Sequence, residues 1–291
     1  TPGQMQKWRL WVHKALLLDY DSRFAFQIQA NNPNFSYAAQ CQDIYSAFHR
    51  RNVAVDVVAG TADLSRYKLV IVPAYHVLPE AVADALKAFV QAGGVILVTP
   101  RTGVKDAANA VVELPLPGLL AALCGVQVEE YDSLPAGVSQ PLEPVDMTLR
   151  PAAPLMASAW CDVLHAEGAT VVARYTADYY AGLPAITCHQ AGAGRAVYVG
   201  TFGDTTLYDG LCDWLLGLAG LEPGWPTPAD VEVCTRWQGE RPLRFVINHN
   251  ATSSDLDLPS AAVELISGQP LGAGTVSLSP HQVLVLAPAA V

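Results

Sequence analysis

Residues 93–111, GGVILVTPRTGVKDAANAV, constrain the fold more than any other stretch, because a continuous aliphatic run ends there in a polar turn. A short apolar run bounded by glycine and proline predicts a strand buried on both faces, as in a parallel sheet covered by helices. Ligands and partners usually lie beyond the carboxyl ends of such strands. The turn carries Arg101, Lys105, Asp106 and Asn109. These polar residues therefore occupy a position where function is expected, although they include no obvious nucleophile.

Predicted strands alternate with predicted helices over the first three quarters of the chain. We expect strands at 15–20, 53–58, 67–75, 94–99 and from 126 onward, and helices at 37–51, 79–91 and near 118–123. Later elements are strands at 170–175 and 184–188, a hairpin leading into a strand at 191–200, and a helix at 205–218. The alternation predicts a three-layer α/β domain of the flavodoxin-like or amidotransferase-like kind, with a mostly parallel sheet.

The pattern changes after a proline-rich linker, EPGWPTP, at 222–228. Short alternating segments separated by Gly, Ser, Asn and Pro then predict a small antiparallel β-domain at 228–291. We expect the α/β domain to occupy residues 14–224. The chain has no initiator Met and opens in a basic, Trp-containing segment, so we interpret residues 1–13 as a linker remnant of a longer protein.

The charge of the chain argues against several classes of partner. The formal net charge is −10, and the 17 Lys and Arg are scattered, whereas a nucleic-acid or anionic membrane surface concentrates them. No run reaches the roughly 18 to 20 apolar residues that a membrane span requires. The amino terminus has no cleavable signal pattern. We therefore expect neither nucleic acid nor a membrane as a partner.

Cysteine and histidine spacing indicates neither a metal nor a cofactor. The six cysteines are widely separated and form no CxxC, which favours free thiols in a reducing cytoplasm over disulfides. The seven histidines never pair at i,i+4, the spacing that lets two imidazoles on a helix share a metal. We expect a cytoplasmic protein without a bound metal or cofactor.

The sequence also offers no recognisable nucleophile. The predicted strand ends read PAYH at 73–76 and TPRTG at 99–103, and no GxSxG occurs. His76 alone lies near such a position, where a hydrogen-bonded loop residue is commoner than a base. Neighbouring acids such as Glu129 and Glu130 point to opposite faces of a strand, which suits solvated or capping roles. Asp19, Asp21 and Arg23 could instead form an ion-pair network at an interface.

Five motifs occur in an order that resembles the trimerisation domain of glycoside hydrolase family 42 β-galactosidases. They are ALLLDYDSRFAF, NFSYAAQCQDIYSAFHRRNVAVDVV, ADLSRYKLVIVPAYHVL, FVQAGGVILVTPRTGVKDAANAV and LPGLLAALCGVQVEEYDSL. The later segments YYAGLPAITCHQAGAGRAVYVGT and VEVCTRW with FVINHN resemble the rest of that domain and the small carboxyl-terminal domain. The resemblance extends from about Lys14 over nearly the whole chain.

This resemblance implies a non-catalytic part of an enzyme. Members of the family carry their acid/base and nucleophile glutamates on a (β/α)₈ barrel, which takes roughly 250 residues. Nothing before Ala15 could supply it, so no catalytic residue is carried over. The resemblance implies a homotrimer whose barrel lies in cis or on another chain. The loop-edge contacts would be Asp19, Arg23, Arg101, Lys105, Asp106 and Asn109.

Two other functions stay open at this point. The α/β domain could be a degenerate amidotransferase-like hydrolase, although the missing nucleophile turn speaks against it. The β-domain could bind sugars or a partner, with Trp225 and Trp237 as stacking platforms. Both tryptophans lie near the linker, where packing between domains is the commoner use of such a side chain.

Overall fold

A computed structural model describes residues 12–289, which form two compact units. The larger unit comprises His13–Ala47 and Val55–Glu222. The smaller unit comprises Val12, Phe48–Ala54 and residues 223–289. The interpretation of residues 1–13 as a linker remnant falls outside the described residues, apart from Val12 and His13.

Strands and helices alternate through the first half of the larger unit, as the apolar runs predict. Its strands are β1 (Lys14–Leu17), β2 (Asp56–Val58), β3 (Leu69–Val72), β4 (Val95–Val98), β5 (Val126–Ser133), β6 (Ser139–Pro144), β7 (Leu155–Ala166), β8 (Thr170–Tyr175), β9 (Pro184–Ala191), β10 (Gly194–Val199) and β11 (Thr201–Phe202). Its helices are α1 (Tyr20–Ile28), α2 (Tyr37–His49, with the last two residues in the smaller unit), α3 (Glu80–Gln91), α4 (Ala121–Cys124, after a 3₁₀ turn at Gly118–Leu120) and α5 (Thr205–Leu218).

The strands form one mixed sheet with the order β11-β7-β6-β8-β9-β10-β4-β3-β1-β2, and β5 also pairs with β7. The run from β2 to β10 through β1, β3 and β4 is parallel, and every other pair is antiparallel. The expectation of a mostly parallel sheet is therefore wrong outside these five strands. Hairpins such as β9–β10 connect the later strands directly, and a direct turn between neighbours makes an antiparallel pair.

Helices cover both faces of the parallel strands. Ala15, Val70 and Ile96 lie in one row across the sheet and pack in a core cluster with residues of α3 and α4. The alternate residues, such as Leu16 and Ile71, point to the opposite face and are also buried. On a second layer α2 meets α5, where the Gln40 side-chain amide donates to the Tyr208 hydroxyl. This burial on both faces explains why the strands read as continuous apolar runs.

The structure contains elements that the apolar patterns did not predict. The first predicted strand ends at Leu17, and Asp19 then begins helix α1 by accepting a hydrogen bond from the Ser22 backbone N–H at 2.6 Å. Strands β6 and β7 were also missed, because their alternation is interrupted by prolines and polar residues. The Asp-x-x-Ser spacing at Asp19 was a local signal for the start of α1.

The smaller unit is a compact antiparallel β-structure, as the spacing of its strands predicts. Its strands are β12 (Val231–Gln238), β13 (Arg241–Asn248), β14 (Ser254–Leu258), β15 (Ala262–Glu264), β16 (Pro270–Leu271), β17 (Gly274–Leu278) and β18 (Val283–Pro288). They form a five-stranded sheet, β12-β13-β18-β15-β16, and a separate β14-β17 pair. The Asn52 side chain belongs to this unit and bonds to the Trp225 carbonyl at 2.8 Å and the Val233 N–H at 2.7 Å.

Within the described part of the chain, we find no helix with the length and apolar character that crossing a bilayer requires.

Two loops of the larger unit approach each other at a point where only glycine fits. Gly103 has a φ of +71°, and a Cβ there would lie 2.4 Å from the carbonyl oxygen of Pro117. Gly137 has a similar φ of +76°, but a Cβ there would meet no atom within 4 Å. Comparing substitutions at these two glycines therefore distinguishes the energetic cost of the left-handed backbone conformation, which both share, from the cost of the steric clash, which only Gly103 has.

Substituting alanine at these two positions should have unequal effects on the free energy of unfolding. Gly137→Ala should lower it by about 1–2 kcal/mol, which is the usual cost of a left-handed backbone at a residue with a Cβ. Gly103→Ala should lower it by about 3 kcal/mol or more, since the clash with Pro117 adds an overpacking cost. Urea unfolding followed by circular dichroism measures both values, and equal losses would contradict the close approach.

Candidate functional site

The candidate site lies at the carboxyl ends of the central parallel strands. We call this region the carboxyl edge, meaning residues 18–28, 73–78 and 99–111. The segments after β3 and β4 run side by side, with hydrogen bonds of 2.9 Å from Gly103 N–H to Tyr75 O and from Lys105 N–H to His76 O. Helix α1 packs beside them, because the Ser22 hydroxyl accepts the Val77 N–H at 3.0 Å. The fold thus brings helix α1 and the two segments after β3 and β4 together.

The turn after β3 has a strained backbone but no reactive side chain. Ala74 has a φ of +40°, in the left-handed region that residues with a Cβ rarely adopt, and it is fully buried. Its N–H donates to the Thr99 hydroxyl at 2.8 Å, and the Tyr75 N–H donates to the Thr102 hydroxyl at 3.2 Å. Such turns hold nucleophiles in other α/β enzymes. An alanine methyl group at this point cannot act as one.

Arg101 lies in the turn after β4, with its guanidinium against two aromatic rings. Its Cζ is 4.8 Å from the centre of the Tyr131 ring and 4.7 Å from that of Trp160. The side chain is only 8% exposed, and the rings are themselves stacked at 4.8 Å. Two buried donors of this cluster, Arg101 Nε and Trp160 Nε1, have no hydrogen-bond partner among the residues that the structure describes. Stacking of this kind fixes the plane of a guanidinium.

His76 is a buried, neutral residue of this cluster. Its Nδ1 lies 3.1 Å from the Arg101 carbonyl oxygen, to which it donates, and its ring lies 4.7 Å from that of Phe26. Burial, followed by the charges of Arg101 and Lys105, lowers the pKa of His76 to about 4. The imidazole therefore orients the turn as a neutral donor.

Asp162, on β7, is a buried carboxyl group behind Arg101. The Tyr198 hydroxyl donates to its Oδ2 at 2.7 Å. Burial raises the pKa of Asp162 to about 7, and the Tyr198 hydrogen bond and the Arg101 charge only partly oppose that rise. Asp162 is thus partly protonated at neutral pH.

The six predicted loop-edge residues fall into two groups. Arg101 and Lys105 are buried, whereas Arg23, Asp106 and Asn109 are exposed and Asp19 is half-buried. Asp19 caps α1, and the Asp106 carboxylate accepts the backbone N–H groups of Ala108 and Ala110, each at 2.9 Å. In the part of the chain that the structure describes, no ion pair joins Asp19, Asp21 and Arg23.

Helix α1 exposes large apolar side chains that sequence reasoning missed. Tyr20, Phe24 and Ile28 follow one another at i,i+4 spacing and are 58%, 52% and 82% exposed. We call these three residues the α1 stripe. The opposite face of the helix buries Ala25 and Phe26 against the larger unit. The Tyr-x₃-Phe-x₃-Ile spacing is present in the sequence. It was not used to predict a helix, because it begins in the predicted strand at 15–20 and continues into the segment after it.

The two tryptophans predicted as stacking platforms are both half-buried in the smaller unit. Trp225 donates from Nε1 to the Asp257 carbonyl at 3.2 Å, and the Arg244 guanidinium lies 5.7 Å from its ring centre. Trp237 lies on strand β12 opposite Pro242. Trp225 therefore already uses its polar atom and part of its ring surface within the unit.

Thiols and metal ligands form no further site in residues 12–289. None of the six cysteines, all of which the structure describes, forms a disulfide, and burial raises the pKa of Cys41 and Cys161 to about 11 and that of Cys124 to about 12. Reactive thiols have lowered pKa values instead. No group of three potential metal ligands occurs among the described residues. A groove of about 720 Å³ lies at the amino ends of β3 and β4 and contains a single carboxylate, Asp63.

Comparisons with known proteins match both parts of the chain. A family profile described as the β-galactosidase trimerisation domain matches residues 13–222. A second profile, described as the β-galactosidase C-terminal domain, matches residues 230–288.

Individual relatives are longer than this chain. β-Galactosidase BgaP from Planococcus sp. is 30% identical over 96% of this chain and 41% of its own length. β-Galactosidase Bga from Halorubrum lacusprofundi is 35% identical over 87% of this chain and 36% of its own length. The crystal structure of β-galactosidase from Bacillus circulans sp. alkalophilus has a TM-score of 0.91 at 29% identity, over 97% of this chain and 42% of that one. The chain spans about two fifths of the length of such relatives.

Replacing the buried carboxyl group should change how stability depends on pH. The pKa of Asp162 is raised from the usual 3.8 to about 7, so its stabilising contribution is full below pH 3.8 and is lost as pH rises to 7. The free energy of unfolding of Asp162→Asn, relative to that of the parent chain, should therefore rise between pH 4 and pH 8. The rise should be about 4 kcal/mol at most, since each pKa unit corresponds to about 1.4 kcal/mol.

Urea unfolding at both pH values measures this difference. Asp84→Asn, at an exposed carboxylate on α3, is the matched control and should show no comparable gain. A gain that is the same at pH 4 and pH 8 would contradict a raised pKa at Asp162.

Proposed function

This chain belongs to the β-galactosidases of glycoside hydrolase family 42, and from that premise we propose that it is the non-catalytic portion through which such an enzyme oligomerises. The observation that carries the proposal is the α1 stripe. Three large apolar side chains on one exposed helix face are unusual for a surface in contact with water only. The trimerisation-domain match over residues 13–222 supports an assembly role for that surface.

The carboxyl edge has the composition of an interface. Interfaces combine an apolar centre with polar groups that set orientation, and tyrosine, phenylalanine and arginine are common there. Helix α1 supplies the apolar part with Tyr20, Phe24 and Ile28. Arg23, Asp106 and Asn109 are exposed near it and would supply orientation. We propose a homotrimer, in which this edge contacts a second copy of the chain or the catalytic barrel in cis.

The chemistry of the whole enzyme would lie outside this segment. Retaining hydrolysis of terminal β-D-galactosides needs two carboxyl groups about 5 Å apart across the sugar. In the described residues the strands form an open eleven-stranded sheet and two small sheets, without a (β/α)₈ barrel. The acids noted in the sequence serve other contacts, since Asp19 caps α1 and Glu129 pairs with His165 at the surface.

The alternatives receive less support. A degenerate amidotransferase-like hydrolase would need a nucleophile, but the strained turn carries Ala74 and the buried thiols have raised pKa values. A sugar-binding role for the smaller unit would need open aromatic faces, whereas Trp225 already contacts Arg244 and Asp257. Calorimetric titration with galactose and lactose tests the second alternative. A cytoplasmic location is part of our proposal and is supported by six described cysteines that form no disulfide.

A charge placed on the α1 stripe should weaken assembly. Ile28→Asp buries a carboxylate in the proposed interface, so it should shift the purified chain from trimer towards monomer and weaken association at least tenfold, or about 1.4 kcal/mol. Light scattering over a range of chain concentrations measures the mass. Met147→Asp is the matched control, because Met147 is 79% exposed and Ile28 is 82% exposed. A parent chain that stays monomeric at high concentration would refute the proposal.

The chain alone should not hydrolyse nitrophenyl β-D-galactoside. The reason is that the proposed assembly role leaves both catalytic carboxylates on another segment. A colorimetric assay on the purified chain tests this. Turnover that co-purifies with the chain and is lost on its heat denaturation would contradict the assignment.

A further inference from the structure

Two buried cations at the carboxyl edge form no ion pair with any residue that the structure describes. Arg101 is 8% exposed and Lys105 is 9% exposed, and no ion pair involves either side chain in the described part of the chain. Both residues contact His76, since the His76 Nδ1 lies 3.1 Å from the Arg101 carbonyl oxygen and the Lys105 N–H donates to the His76 carbonyl at 2.9 Å. Burying a charge without a partner is costly, and buried charges in proteins are therefore normally paired.

Asp162 is the nearby acidic residue, and it forms no ion pair with Arg101 or Lys105 in the described part of the chain. Residues 1–11 and 290–291 contain no aspartate or glutamate. The charge of Asp162 does act on Arg101, but the two form no ion pair, and its Oδ2 accepts the Tyr198 hydroxyl. Burial also raises the pKa of Asp162 to about 7, so this carboxyl carries only part of a negative charge at neutral pH.

Unused hydrogen-bond donors accompany the unpaired charges. Arg101 Nε and Trp160 Nε1 are both buried and have no acceptor within residues 12–289. Leaving a buried donor unsatisfied is costly, so such donors normally meet an acceptor. The ring of Tyr131, which the guanidinium contacts, is 46% exposed. The cluster therefore adjoins solvent at Tyr131.

We propose that Arg101 and Lys105 form a carboxylate-binding site, with the guanidinium as the bidentate donor and the ammonium as a second charge. A guanidinium whose plane is fixed by aromatic rings matches the flat, two-oxygen geometry of a carboxylate. The carboxylate is either an acidic side chain of a second copy of this chain or a free small molecule. Binding of a free carboxylate does not require a trimer, so this inference can hold even where the proposed assembly role fails.

Nuclear magnetic resonance of the ¹⁵N-labelled full chain tests the site. The Nε–Hε signal of Arg101 and the Nε1–Hε1 signal of Trp160 are assigned by their loss in Arg101→Met and Trp160→Phe. Sodium acetate is titrated at constant ionic strength against sodium chloride. Both signals should shift saturably, and Lys105→Met should weaken binding about tenfold, as expected for the loss of one charge-assisted contact.

A second arm distinguishes the two sources of the carboxylate. The same signals are followed over chain concentrations that span association, without acetate. A concentration-dependent shift that acetate reverses identifies an acidic side chain of a second copy, whereas a shift caused by acetate alone identifies a free carboxylate. The control is Arg195→Met, because Arg195 is exposed at the opposite, amino end of β10 and should leave every response unchanged.

Three results would overturn the proposal. One is the absence of any saturable shift in both arms. Another is acetate binding that is equally strong in Lys105→Met and in the parent chain, together with an undiminished acetate-induced shift of the Trp160 signal in Arg101→Lys. The Arg101→Lys variant keeps the charge but loses the bidentate fork. The third is equal or tighter binding of sodium phosphate, which would contradict selection of a planar carboxylate.

Discussion

Both faces of the central parallel strands are buried, and this constraint decides where polar chemistry can lie in the larger unit. Strands β1, β3 and β4 pack against helices on each side, so their side chains, apart from Lys14 at the start of β1, offer only apolar contacts. Polar groups are therefore confined to the loops at the strand ends. Because parallel strands all point the same way, the loops after these strands meet at one edge, where Arg101, Lys105 and His76 come together.

The carboxyl edge keeps a backbone shape that other proteins use for catalysis, yet its side chains suit binding. Ala74 holds a left-handed conformation with support from the Thr99 hydroxyl, and nothing reactive stands on that turn. The neighbouring turn carries Arg101, held against Trp160. A rigid frame of this kind benefits recognition for the same reason that it benefits catalysis, since groups fixed in advance lose little entropy when a partner arrives.

Assembly and anion binding would involve different parts of one surface. The α1 stripe offers apolar area, which contributes affinity without setting an orientation. The Arg101 and Lys105 side chains offer charge at a defined position, which contributes specificity. Ser22 connects the two parts, because its hydroxyl accepts the Val77 N–H in the segment after β3.

The sequence by itself determined the buried strands, the helices α2, α3 and α5, and the antiparallel smaller unit, because apolar periodicity and glycine or proline breaks are local signals. It also placed polar residues at the end of β4. Tertiary structure alone decided that the sheet is mixed, that Asp19 begins a helix, and that Arg101 is buried while Asp106 is not. Such features depend on contacts between residues far apart in the chain, as Arg101 with Trp160, and no local pattern records which partners long-range packing will bring together.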